Sequence, residues 1–247
     1  MPTIAKDYPV QEAAADRLAA VWAVPDPFAA TFILGGDAPQ VLRAAQRERR
    51  ARILAAARSL IAEGGRKEVA IRAIASRANL SVQTIYNLVG NLDDVTAEAI
   101  HEATAATVKV AQSMQGYPNF LLAYDDLIWM KTVMYPDYIR AVAITCAEID
   151  PAIASRMRKR QSARLRELLS ERYGPSAREQ TVDLDVLSHQ IASSITQATI
   201  EWAYGRLTLE ELRYRLGATS AISLACVAEK DERAEMFGWV QRLKPSA

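Results

Sequence analysis

Apolar residues recur along this chain at the three- and four-residue intervals of helices, and no segment gives a convincing strand alternation. From Arg43, "RAAQRERRARILAAARSLIAEGG" sets Ile53, Leu54, Ala57, Leu60 and Ile61 on one stripe. Gly64-Gly65 ends that helix, because glycine readily takes the left-handed conformation of a helix end. A second helix is predicted from Ile71 to Ala78, and a third from Ser81, its N-cap, to about Val89. A long fourth begins near Asn91, with Asp93 and Asp94 at its positive end. Beyond Met114 the pattern predicts six more helices. The breaks fall at Gly116-Tyr117-Pro118, Pro136, Asp150-Pro151, Gly174-Pro175 and Gly205, and the last helix covers about Glu232 to Leu243. The expectation is an all-α chain with a leader over 1–42, a small domain over 43–92 and a larger helical domain over 93–247. The fourth helix is shared by the two domains.

The leader carries a helical spacing of Ala14, Leu18, Val21 and Trp22, followed by the breaker-rich "PDPFAATFILGGDAP". Its role does not follow from its residues, and neither does the correct placement of the start.

The second and third helices are separated only by Ala78-Asn79-Leu80. The spacing is that of a helix-turn-helix. Ala75 is small enough for close approach, and Asn79 tolerates a positive φ at the turn. Ile74, Leu80, Ile85 and Val89 then point inward, which leaves Val82, Gln83, Tyr86 and Asn87 outward with Thr84 at the edge. A short polar helix of this kind fits the major groove of B-DNA. Gln83 and Asn87 suit base edges, Val82 suits a thymine methyl, and Thr84 and Tyr86 suit phosphate oxygens. Arg72 and the arginines of the first helix supply a positive field. The blander alternative is a pair of packed helices with a solvated polar face.

Net charge is only +1, but it is unevenly spread. Residues 43–92 hold ten Lys and Arg against three Asp and Glu, a net +7, so the rest of the chain carries −6. A basic segment in a mildly acidic chain points to a polyanion, here double-stranded DNA. Two distant cysteines, Cys146 and Cys226, suit a reducing compartment, and the expected location is cytoplasmic. No apolar run reaches the ~18 residues of a membrane span.

The stretches "ILAAARSLIAEGG", "IRAIASRANLSVQTIYNLVG" and "NLDDVTAEAI" resemble the N-terminal domain of the TetR-type bacterial transcriptional regulators. Ser81, Thr84, Ile85 and Tyr86 form the Ser-x-x-Thr-apolar-Tyr core of the recognition helix. The resemblance implies an all-α homodimer whose larger C-terminal domain binds a small effector. By position it makes Val82, Gln83, Thr84, Tyr86 and Asn87 the DNA contacts. Two positions depart from the pattern. A lysine that commonly anchors phosphate is Leu92 here, and the threonine that usually caps the second helix is Ala70.

In the C-terminal part, "VLSHQIASSITQATIEWAYG" and "LEELRYRLGATSAISLACVA" are rich in small residues, as suits a four-helix interface between subunits near Ser194 and Ser220. The alternative is an intrachain pair. The middle helices offer Tyr124, Trp129, Met134, Tyr138 and Cys146 as walls of an effector pocket, with His189 and Gln190 as polar handles. All of these also suit ordinary core. Six basic residues between Arg156 and Arg166 suit either a wider DNA footprint or, more simply, a solvated face. Enzymatic readings find little support. Glu98-x-x-His101 is half of a di-iron motif, but His189 has no glutamate three positions back. No phosphate loop, cofactor motif, metal cluster or nucleophile with its base is evident. A protein-interaction module remains as the other class, and it leaves the basic field unexplained.

Overall fold

The computed structural model describes residues 44–245, and for residues 66, 105, 106 and 109 the backbone alone. The expectations for residues 1–42 lie outside the described residues. Those described form helices and no strand. They fall into two compact units, divided between Tyr117 and Pro118.

The first unit contains α1 (Ala44–Gly64), a 3-10 turn (Gly65–Glu68), α2 (Ile71–Ala78), α3 (Val82–Leu88) and α4 (Leu92–Ser113). The stripe read from the sequence is its core: Ile53, Leu54, Ala57 and Ile61 are fully buried, together with Ile74, Ile85 and Val95. Helices α3 and α4 each start on a side-chain cap. Ser81 Oγ accepts the Thr84 N–H at 3.1 Å. At α4, Asn91 Oδ1 accepts the Asp94 N–H while Asp94 Oδ2 accepts the Asn91 N–H, a reciprocal capping box. Ala70, at the corresponding position of α2, makes no side-chain cap bond.

Gly90 is required just before that box. Its φ is +135°, and a Cβ there would stand 2.6 Å from Asp94 Oδ2. Expected to be shared by two domains, α4 instead lies whole within the first unit, because it packs along α1 and is ion-paired to it. The compact units therefore divide later in the chain than the expected 92/93 boundary.

The second unit contains α5 (Phe120–Met134), α6 (Pro136–Glu148), α7 (Pro151–Glu179), α8 (Leu184–Ala203), α9 (Leu209–Leu224) and α10 (Lys230–Arg242). Helix α8 packs on α6, α7 and α9, while α9 also packs on α5 and α10. Asn119 caps α5 by accepting the Leu121 and Leu122 N–H groups, and its amide also reaches Met236 Sδ of α10. Prolines at the first position start α6 and α7.

The break expected at Gly174-Pro175 does not occur. Helix α7 runs through Pro175 and ends four residues later, before Thr181 takes φ +54° and Asp183 caps α8. A proline inside a helix removes one backbone bond and crowds the preceding turn, at a cost of about 3 kcal/mol. Here Tyr173 and Ala177 are buried on either side and hold the helix in place. The Tyr173 hydroxyl donates to Glu232 of α10, which also accepts from Arg172.

Candidate functional site

Asn79 turns the chain in the left-handed region, at φ 52° and ψ 54°. Its N–H and that of Leu80 return to the last carbonyls of α2, Ser76 and Ala75. Arg52 of α1 donates to the Ala78 and Asn79 carbonyls, which pins the turn from outside. Ala75 is buried, as a close crossing of the two helices requires, and Ile74 and Ile85 are sealed beneath it. Leu80 and Val89 are half-buried.

Of the four side chains read from the sequence as outward on α3, three are exposed. Gln83, Tyr86 and Asn87 are exposed, with Tyr86 at 48%, while Val82 and Thr84 are half-buried at the edge. The Thr84 hydroxyl lies 2.8 Å from Ser81 Oγ and is engaged with the cap. Gln83 Nε2 donates to Asn87 Oδ1 at 3.0 Å. The pair thus presents the Gln83 carbonyl as acceptor and the Asn87 amide as donor, the two functions a base edge can answer.

The positive field is smaller than the sequence count suggests. Arg50 and Arg58, expected to contribute to it, are buried instead. Arg50 pairs with Glu98 and, at 3.7 Å, with Glu102 of α4; Arg58 pairs with Glu102 at 2.7 Å. Arg77 is spent on Glu63 and Ser59, and Arg52 on the turn. These arginines satisfy carboxylates and carbonyls of their own unit. Arg47, Arg49 and Arg72 remain exposed on the same unit, where they can meet phosphate. Glu98, half of the di-iron motif weighed above, is committed to Arg50. Among the described residues no group of three His, Cys, Asp or Glu side chains could hold a metal.

In the second unit, Tyr124, Trp129 and Met134 lie five residues apart on α5 and so cannot share one helix face. Tyr124 and Trp129 are half-buried, whereas Met134 is largely exposed. Tyr138 and Cys146 are half-buried on α6, and burial pushes the Cys146 thiol up to about 12, which makes it a poor nucleophile. His189 and Gln190 were expected in an apolar interior. Both are exposed on α8, because the buried positions of that turn are Leu187, Ser188 and Ile191. Ser194 is half-buried, but Ser220 is completely enclosed by its own unit and cannot face a second subunit. The most exposed apolar side chains of α8 and α9 are Val186 and Ile222. In the basic run of α7, Arg164 pairs with Glu167 and Arg166 with Asp185, as a solvated face does.

The sequence reading passed over a polar cluster where α5 meets α9. Asp126 receives a two-pronged ion pair from Arg213, at 2.8 and 3.1 Å, and that guanidinium lies 4.0 Å from the centre of the Trp129 ring. Asp125, its neighbour, is only 3% exposed, and both its oxygens lack a hydrogen-bond partner among the described residues. Burial pushes its pKa up to about 7; the Ser220 hydroxyl is near enough to ease this, but forms no bond of normal geometry. Adjacent aspartates in a string look alike. Only the packing separates them.

No helix among the described residues is long and apolar enough to cross a membrane. Comparison with the curated proteins finds no match. Residues 53–88, from the middle of α1 to the end of α3, match the family model described as bacterial regulatory proteins, tetR family. With its αL turn, its sealed isoleucines and its exposed polar third helix, this segment forms a helix-turn-helix of the DNA-binding kind that the tetR-family model describes.

Proposed function

We propose that the protein is a cytoplasmic, sequence-specific repressor that binds an inverted-repeat operator as a homodimer and is released by a small-molecule effector. The observation that carries this reading is the outward set Gln83, Tyr86 and Asn87 on a helix anchored by fully buried Ile85. Gln83 and Asn87 read base edges in the major groove. Tyr86, Thr84 and the exposed Arg47, Arg49 and Arg72 set position on the phosphates, and Val82 contacts a thymine methyl. In this reading the exposed arginines take the place of the phosphate-anchoring lysine, which is Leu92 here.

Dimerisation is assigned to the outer faces of α8 and α9, where Val186 and Ile222 are each 65% exposed. A two-fold dimer presents two recognition helices to half-sites about one helical turn apart. The second unit is the effector domain, and the effector acts by binding the DNA-incompetent conformation more tightly than the competent one. A preference of about 10⁴ would carry the population from about 1:99 to 99:1.

The test is to select bound fragments from genomic DNA with the purified protein, then to titrate one of them and a scrambled duplex at several salt concentrations. An inverted repeat enriched among the fragments, and bound at least a hundredfold more tightly than the scrambled duplex, is expected. Equal affinity for both duplexes would leave only non-specific polyanion binding and refute the reading.

A further inference from the structure

The pair Asp125 and Asp126 shows one fold treating two identical side chains in opposite ways. Asp126 is fully answered by Arg213. Among the described residues, Asp125 has neither an ion-pair partner nor a donor in bonding geometry, although it is buried. Buried carboxylates are normally paired, so an orphan invites a partner from outside the chain.

Two more unmet polar atoms lie on the same two helices. The Ser220 hydroxyl of α9 faces Asp125 without a partner of its own. The Trp129 indole N–H, one turn further along α5, has no acceptor among the described residues. We propose that Asp125 is the anionic anchor of an effector site between α5 and α9, and that its ligand is a small organic amine bound as the ammonium ion.

Charge selects this class. An anionic ligand would meet Asp125 and find Arg213 already engaged with Asp126. A neutral ligand would leave the carboxylate without a countercharge. An ammonium supplies the missing charge and up to three donors, enough for both Asp125 oxygens and Ser220 Oγ. Trp129, one turn along α5 from Asp125, offers the ligand apolar surface. The inference rests on reading the second unit as an effector domain.

The test uses the full chain and calorimetric titration at pH 7.5. The probes are 2-phenylethylamine and dodecylamine, with 2-phenylethanol and 3-phenylpropionate as the neutral and anionic counterparts. At least one amine should bind, its neutral and anionic counterparts at least tenfold more weakly. Asp125→Asn should lose at least tenfold in amine affinity while melting no lower than wild type. Ser220→Ala, which keeps the charge, should lose only a few-fold. Binding unchanged in Asp125→Asn, equal binding of the counterparts, or no binding of either amine would overturn the site, the last being expected if buried water alone meets these atoms. Operator affinity measured with and without the bound amine separates the two readings. An Asp125-dependent amine that leaves operator affinity untouched would refute the effector role and keep the site. Specific operator binding without any amine binding would refute the site alone.

Discussion

Asp125→Asn should remove a pH dependence from the stability of the unliganded protein. In the folded chain the carboxyl titrates at about 7, against an ordinary value of 3.8. Between those values the folded protein keeps a proton that the unfolded chain has released. The contribution of Asp125 to stability is therefore fully present below about pH 4, falls as pH rises towards 7, and is lost above it. A rise of about three pH units, at ~1.4 kcal/mol each, makes the loss about 4 kcal/mol. The buried Lys131 of the same helix, pushed down to about 8, loses its proton above this window. Urea denaturation at half-unit steps from pH 4.5 to 7.5 reads the effect as a falling unfolding free energy, with the slope abolished in the asparagine variant. Parallel profiles for the two proteins would show that Asp125 is solvated or paired in solution, and the reasoning from its burial would fail.

Gln83→Ala should cost ~1–3 kcal/mol on the selected operator and little on scrambled DNA. Asn87→Ala should be non-additive with it, since the two amides share a bond; fluorescence anisotropy decides both, and equal losses on both duplexes would remove Gln83 from base reading. Tyr86→Phe should weaken all duplexes alike, as a phosphate contact does, and an altered sequence preference would count against that role. Glu102→Ala removes the carboxylate that Arg50 and Arg58 share and should lower unfolding free energy more than Glu167→Ala on the exposed face of α7, which should cost ~1 kcal/mol or less. Gly90→Ala forces a side chain into φ +135° and against Asp94, so it should destabilise by more than ~1 kcal/mol and expose the first amides of α4 to hydrogen exchange. Ile222→Glu should turn a dimer into a folded monomer in sedimentation, whereas Ser220→Glu, with its site enclosed, should unfold the chain; an Ile222→Glu dimer would move the interface elsewhere.

The first unit was legible because its signals are local. Ser81 and Asn91 announce their helices, Asn79 announces the turn, and the spacing from Ile53 to Ile61 announces a buried stripe. The partners of Arg50 and Arg58 lie more than forty residues away, and nothing in a charge count distinguishes a guanidinium that meets phosphate from one that meets Glu102. The same holds for His189, which an apolar neighbourhood in the string suggested was inside, although its own turn rotates it outward. Pro175 misled for a different reason. Local breaking tendency is worth a few kcal/mol, and burial of Tyr173 and Ala177 outweighs it. The Asp125 environment is a property of two helices meeting, and a one-dimensional reading has no access to it.

The ionic latch between α1 and α4 has a mechanical consequence. Arg50 and Arg58 sit two turns apart on α1 and grip Glu98 and Glu102, one turn apart on α4, so the two rods cannot slide or roll independently without unpairing buried charge. With 22 residues, α4 is about 33 Å long at ~1.5 Å per residue. A tilt of about 5° around its far end would sweep its near end through about 3 Å, and α1, with the turn and reading helix riding on it, would travel as cargo. That displacement is comparable with a base-pair step of ~3.4 Å, so in the proposed dimer a small torque on one rod would be enough to throw the two reading helices out of phase with a duplex.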